Sequence, residues 1–157
     1  MPDFKFVEVD LNKKHHAHAF VKLMNAYMED PMGKSESISE DLAEQIIKDL
    51  KVHPTYLGVM VEKDGQFVAL ANCFRNYSTF KAQSLINIHD FIVMPECRNQ
   101  GAGMFLLKSI EKIGKERSCC RINLEVRNDN KAAMQLYQKA GFRECNPPMY
   151  FWEQIID

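Results

Sequence analysis

Three observations predict an α/β fold. An Asp-Gly hairpin signal joins two β-rich runs, an amphipathic helical run lies between two strand-like runs, and the length of 157 residues is room for one domain. Residues 1–157 are therefore expected to form a single unit. Alternation in Phe4, Phe6, Val7 and Val9 predicts an opening strand over Phe4–Asp10. Phe20, Leu23, Met24 and Tyr27 then recur at helical spacing, so a first helix covers Lys14–Glu29 and breaks at Asp30-Pro31-Met32-Gly33. Ser37-x-x-Glu40 has the capping-box pattern and opens a second helix, with Leu42, Ile46 and Leu50 as its buried stripe and His53-Pro54 as its end.

From Tyr56 to Tyr77 two β-rich runs flank Lys63-Asp64-Gly65-Gln66 and pair antiparallel. A further strand, Leu85–Met94, stops at Pro95, which has no N–H to give a ladder. Gly101–Arg117 reads as a helix with Met104, Leu107, Ile110 and Ile113 on one face, and Arg121–Val126 as the next strand. Strand, helix and strand in that order imply a parallel crossover. Asn128-Asp129-Asn130 offers capping side chains to a last helix, in which Ala133, Leu136, Tyr137 and Ala140 are spaced for burial and Gly141 is placed as the stop. Phe142–Cys145 and Met149–Ile156 read as two final strands joined through Asn146-Pro147-Pro148.

Charge and composition narrow the function classes. With 20 basic against 21 acidic side chains the formal charge is −1, which lacks the electrostatic footprint of a nucleic-acid binder. Charged residues interrupt every apolar run well short of the roughly 18–20 residues that a membrane span needs. The N-terminus has no basic-then-apolar leader, and Pro2 stands where myristoylation requires glycine, so a cytoplasmic location is expected. Cys73, Cys97, Cys119, Cys120 and Cys145 are odd in number and contain no C-x-x-C, which fits reduced thiols rather than a disulfide framework or a zinc site. His15, His16 and His18 at the start of a helix lack i, i+4 pairing and a carboxylate partner, so no metal is expected.

The chemistry concentrates where a strand end meets a helix start, at Arg98-Asn99-Gln100-Gly101-Ala102-Gly103. A helix N-terminus presents unpaired N–H donors and the positive end of its dipole, and glycine lets a phosphate approach the backbone. The segment is a pyrophosphate cradle in outline. It is not a dinucleotide fingerprint, because Leu106 stands at the third glycine position, and it has no G-K-S or G-K-T of a P-loop.

The order from Phe91 is distinctive: a strand end with Val93-x-Pro95, R-x-x-G-x-G, an amphipathic helix, a strand, Asn130-x-x-Ala133, then Leu136-Tyr137-x-Lys139-x-Gly141-Phe142. It resembles the GCN5-related N-acetyltransferase (GNAT) superfamily over about a third of the chain, and the preceding elements fall in the order that fold requires. The resemblance implies a mixed, mostly antiparallel twisted sheet with helices on both faces and acyl-CoA held between two splayed parallel strands. It implies an acetyl-CoA-dependent N-acyltransferase that uses acetyl-CoA as cosubstrate and acts on an amine by direct attack. Carried over position by position, Arg98, Asn99, Gln100, Gly101, Ala102 and Gly103 would bind the pyrophosphate, flanked by Met104. Ile92 and Val93 would pair with the pantetheine arm, the Val93 N–H would polarise the thioester carbonyl, Asn130 would orient the cofactor, and Tyr137 would be the acid to the departing thiolate. Asn99 departs from the common glycine; where that position needs positive φ, Asn is the best substitute.

Each residue also has a plainer reading: Tyr137 suits the core, and Asn130 suits a helix cap. An amine nucleophile must lose a proton before attack, and Glu125, His89 and Asp90 are the candidate bases. Strand alternation puts His89 and Asp90 on opposite faces unless a bulge intervenes, so facing does not choose among them. The first two helices with the loops Met28–Ser39 and Asn146–Pro148 would rim the acceptor cleft, where Glu29, Asp30, Glu36 and Glu40 either favour a cationic acceptor such as a polyamine, aminoglycoside, lysine or peptide amine or form an ordinary solvated acidic face. Two other classes stay open: a non-catalytic acyl-CoA binding or sensing module, and an assembly domain pairing as a homodimer through C-terminal strands around Phe151 and Trp152.

Overall fold

The computed structural model describes residues 2–157. Its five strands, β1 (Phe4–Glu8), β2 (Tyr56–Lys63), β3 (Gln66–Ser78), β4 (Gln83–Val93) and β5 (Ile122–Leu124), lie side by side in chain order. The first four pair antiparallel and β5 joins β4 in parallel, so the sheet is mixed and mostly antiparallel. The parallel step is made by α3 (Ala102–Glu116), while α1 (Lys14–Glu29) and α2 (Glu40–Val52) follow β1, and α4 (Lys131–Lys139) follows β5.

Local chemistry accounts for most of these boundaries. Asp64 and Gly65 both take positive φ, 52° and 76°, the mirror-image turn whose twist matches two antiparallel strands. Asn130 Oδ1 accepts from the Ala133 N–H at 3.2 Å to cap α4, and Gly141 at φ 101° ends the turn that follows it. β1 is shorter than the alternation suggests, ending at Glu8, because Asp10 turns its carboxylate onto the Asn12 N–H. The α2 cap is Ser39, which accepts from the Leu42 N–H, whereas Ser37 hydroxyl donates to Glu29. The expected capping box is thereby corrected by two residues.

Two apolar layers clamp the sheet. On one face Val59, Val61, Ala69, Ala71, Ile86 and Ile88 meet Leu106, Leu107, Ile110 and Ile113 of α3 and, partly buried, Leu136 of α4. On the other, Met60, Leu70 and Ile92 meet Phe20, Leu23 and Met24 of α1. Coverage on both sides explains why β2 and β3 read as nearly continuous apolar runs. Full burial of Phe20 and Leu23 contributes about 2–3 kcal/mol each. The α2 stripe is displaced: Leu42 is 46% exposed, while Ala43 is buried and Ile46, Ile47 and Leu50 are half-buried.

The two final strands do not form. No regular element follows α4 among the described residues, and Met149, Tyr150, Phe151, Trp152, Ile155 and Ile156 are exposed. Pro147 and Pro148 remove two consecutive N–H donors, and the three-residue β5 presents a short edge that no strand among the described residues pairs with on its outer side.

The decisive irregularity is in β4. Asn72 of β3 pairs with Asp90 and Cys73 with Ile88, so His89 is the extra residue of a bulge. Ile88 faces the α3 layer, and beyond the bulge Phe91 and Val93 resume that facing while Ile92 packs on the α1 side.

Candidate active site

β4 and β5 pair only from Ile86–Ile122 to Ile88–Leu124, yet β4 runs on to Val93. Its last five residues therefore have no ladder partner on the β5 side and border a gap there. The Met94 N–H donates to Val68 O of β3 at 2.9 Å, so alternation turns the Val93 N–H the other way, into the gap. That is the expected place for an oxyanion donor.

At the outer end of the gap β4 passes through a short turn, Pro95–Cys97, to the start of α3. Asn99 has φ 60° and Gly101 φ 93°, so the chain curls with N–H groups on its concave side. The N–H groups from Asn99 to Met104 donate to no acceptor among the described residues, and no side chain caps α3. Such a row of free donors at a helix N-terminus fits a pyrophosphate. Ala102 and Gly103 are buried: a Cβ on Gly103 would come within 2.9 Å of Leu136 Cδ2, so this glycine serves close packing of α3 on α4. Arg98 Nε donates to Val93 O at 3.1 Å, and its Nη2 reaches Asp30 Oδ2 at 2.9 Å in the loop after α1. Gln100 accepts from Lys63 at 2.7 Å and donates to Glu96 O at 2.9 Å.

The inner end of the gap opens into a cleft of about 120 Å³ lined by Tyr27, Met32, Ile88, His89, Phe91, Leu124, Glu125, Val126, Arg127, Asn130 and Tyr137. Four predicted site residues, His89, Glu125, Asn130 and Tyr137, thus share one space. Tyr137 packs edge-on to Phe91 at 5.8 Å and against Phe142 at 5.9 Å, and burial, with Tyr27 nearby, pushes its phenol up to about 12. It is at once a core aromatic and a proton donor that stays protonated at neutral pH. His89 is exposed and stands edge-on to Phe74 at 5.7 Å; Glu125 is exposed at the cleft mouth.

Asp90 differs from both. It is half-buried on the α1 side and accepts at Oδ2 from Asn72 Nδ2 at 3.0 Å. It does not line the cleft, although its charge adds to burial in pushing the phenol of the cleft-lining Tyr27 upward. The sequence reading passed over Tyr27 as core and over Asn72 altogether. The signal was there: Asn72 is the only polar residue in the run Val68–Cys73, and a buried amide in an apolar strand has a partner to serve.

Other nominated groups stand apart from the cleft. Cys73 is buried, and that burial pushes its thiol up to about 12. His16 is buried with Nδ1 accepting from the Asp10 N–H at 3.0 Å. A larger cleft, about 560 Å³, lies between α3, the approach to β5 and the Ala140–Arg143 segment, away from Tyr137.

Comparison with known proteins agrees with this geometry. Residues 17–142 match the model of the acetyltransferase (GNAT) family. A thialysine N-epsilon-acetyltransferase from Bos taurus is 35% identical over 69 residues, 44% of this chain, and the match spans 40% of that relative's length. An uncharacterized N-acetyltransferase of Bacillus subtilis, YhfO, is 25% identical over 133 residues, covering 84% of this chain and 87% of the relative. A crystal structure of a probable acetyltransferase superposes with a TM-score of 0.84 at 17% identity, over 98% of this chain and 99% of that one.

Proposed function

Because the chain belongs to the acetyltransferase (GNAT) family, we propose that it transfers an acetyl group from acetyl-CoA to a small cationic primary amine. The observation that carries the reading is the gap beside the unpaired end of β4, with free N–H donors at one end and Tyr137 at the other. Bound acetyl-CoA would supply the acyl group as an activated thioester. Residues Asn99–Met104 would hold its pyrophosphate through backbone N–H groups, and Ile92 and Val93 would offer strand-like pairing to its arm.

In the transfer the Val93 N–H donates to the carbonyl oxygen as negative charge gathers there. Asp90 accepts the proton that the amine sheds, directly or through one water, since it is the one candidate base oriented by a buried side chain. Tyr137 gives its hydroxyl proton to the sulfur as the C–S bond breaks and the N–C bond forms. Glu125, at the mouth, would draw in a cationic acceptor, and the thialysine activity named for the bovine relative favours a lysine-like amine.

Residues 1–157 would act as one catalytic unit in the cytoplasm, a reading supported by five free cysteines. The exposed apolar tail after Phe142 we assign to a second copy of the chain. Its acidic Glu153 and Asp157 complement Arg121 and Arg143 around the 560 Å³ cleft beside β5, where Lys108 and Lys115 are already paired with Glu111.

Calorimetry with acetyl-CoA, followed by thiol release with polyamines, aminoglycosides, lysine analogues and peptides, tests the function. Binding with release for one amine class supports it. Binding without release would instead favour an acyl-CoA sensor, and no binding would overturn the cradle.

A further inference from the structure

β5 has an open row of backbone groups on its outer side. The Ile86 N–H donates to Arg121 O at 3.1 Å, so alternation turns the Ile122 and Leu124 N–H groups away from β4, where no strand among the described residues meets them. Beyond Leu124 the chain leaves the ladder, yet Glu125, Val126, Arg127 and Asn130 go on to line the acceptor cleft. That wall has no strand behind it, and the apolar Val126 is 38% exposed.

The chain also carries a strand-like segment without a sheet. Met149, Tyr150, Phe151, Trp152, Ile155 and Ile156 are each at least 65% exposed. Laid out as a strand, the segment is apolar on both faces, but its acids fall on one. Met149, Phe151, Glu153, Ile155 and Asp157 share that face, and Tyr150, Trp152, Gln154 and Ile156 take the other. The first face matches the 560 Å³ cleft beside β5, which offers Leu107, Ile122 and Phe142 to apolar side chains and Arg121 and Arg143 to carboxylates. The second would still lie in water on a single chain: Ile122 and Leu124 pack on the α3 side, and the opposite face of β5 presents the exposed polar residues Asn123 and Glu125. A second copy, bringing the same apolar row by two-fold symmetry, covers it.

We infer that two copies exchange their C-terminal segments, each laying Met149–Ile156 along the outer edge of the other's β5 as a sixth strand and so completing the other's acceptor cleft. The added strand is longer than the three-residue β5, so it runs past Leu124 and gives Glu125 and Val126 a ladder partner. This goes beyond assembly through the tail, because each site then depends on the other copy. It rests on the acetyltransferase reading only for what the completed cleft binds.

The test is isotope-filtered NMR on an equal mixture of labelled and unlabelled full chain, with light scattering on the same sample. Expected are contacts between the Ile122 methyls of the labelled chain and the Phe151 ring of the unlabelled one, together with slowed exchange of the Ile122 and Leu124 amides. Phe151→Glu with Trp152→Glu should lose the contacts and about tenfold or more of the amide protection, while KM for the amine rises about tenfold and acetyl-CoA affinity stays within about twofold. If that variant does not fold, the wild-type mixture decides the exchange by itself. Contacts confined to one chain would overturn the exchange, since the tail would then pair with its own β5. A dimer without contacts between tail and β5 would overturn it too and leave assembly through the tail standing, whereas a wild-type monomer would remove both. An unchanged KM for the amine in a folded variant that has lost the contacts would overturn the completed cleft. An exchanged dimer that releases no thiol with any amine would instead overturn the acetyltransferase reading and leave the exchange standing.

Discussion

Arg98 and Asp30 meet at 2.9 Å across the rim of the cleft, joining the first residue of the R-x-x-G-x-G segment to the loop that leaves α1. Because Arg98 also donates to Val93 O, one guanidinium links the β4 end, the N–H cradle and the acceptor side.

Asp30→Ala should therefore act on substrate binding more than on folding. The pair is part-exposed, so the loss of stability should stay within about 1 kcal/mol. The Met32 N–H first, and Arg98 after it, hold the Asp30 carboxyl below its usual range. Its contribution to stability is then full above the unfolded value and fades as pH falls through the lower folded one. Urea unfolding should show a larger wild-type advantage over the variant at pH 7 than at pH 3, while KM for the amine rises several-fold at neutral pH.

Tyr137→Phe keeps the ring between Phe91 and Phe142 and removes only the proton. Turnover should fall by about 10²-fold with acetyl-CoA affinity nearly unchanged. With the phenol pushed up to about 12, the wild-type enzyme should show no alkaline loss from this group below about pH 10. Equal turnover in the two proteins would remove Tyr137 from the acid role.

Gly58→Ala adds a Cβ that would stand 2.7 Å from Val9 Cβ as well as meeting the Tyr56 hydroxyl. Overpacking of this kind costs about 1–3 kcal/mol, read as a lower urea midpoint at constant slope. A variant as stable as the wild type would show that β1 and Tyr56 shift freely.

His16 gives the fold a second acid-side dependence. Burial, reinforced by the neighbouring His15, lowers its pKa, so on acidification the unfolded chain takes up the proton first. Stability present above about pH 6.5 should be lost as pH falls toward the lower folded value. In His16→Gln, whose amide oxygen offers an acceptor to the Asp10 N–H, unfolding free energy measured between pH 7.5 and 5 should decline less steeply.

The exposed tail predicts an assembly. Light scattering should give twice the chain mass for the wild type, and Phe151→Glu with Trp152→Glu should return the single-chain mass. A wild-type monomer at high concentration would sink the assignment.

What the sequence disclosed was local. The Asp64-Gly65 turn, the Asn130 cap and the Gly141 stop each depend on residues within a few positions, and each was placed correctly. The parallel crossover was legible because periodicity changes twice between Leu85 and Val126. Leu42 misled because a helix stripe is defined by what it lies against, and the packed face of α2 runs through Ala43 and Ile47. Met149–Ile156 misled for the same reason at larger scale: strand-like composition does not supply a neighbouring row of donors and acceptors. Tyr27 looked like one more apolar position on α1, and only the meeting of α1 with β4 and the segment after β5 puts it on the cleft wall.

The extra residue at His89 makes the strand's arithmetic part of the chemistry. Counting by twos from Ile86 and Ile88 would send position 90 toward α3; the insertion resets the count, so Asp90 and Ile92 belong to the opposite side. Were His89 instead taken into the ladder as an ordinary paired residue, the count would run on unbroken. Asp90 and Ile92 would then move to the α3 side, and Phe91 and Val93 would leave it.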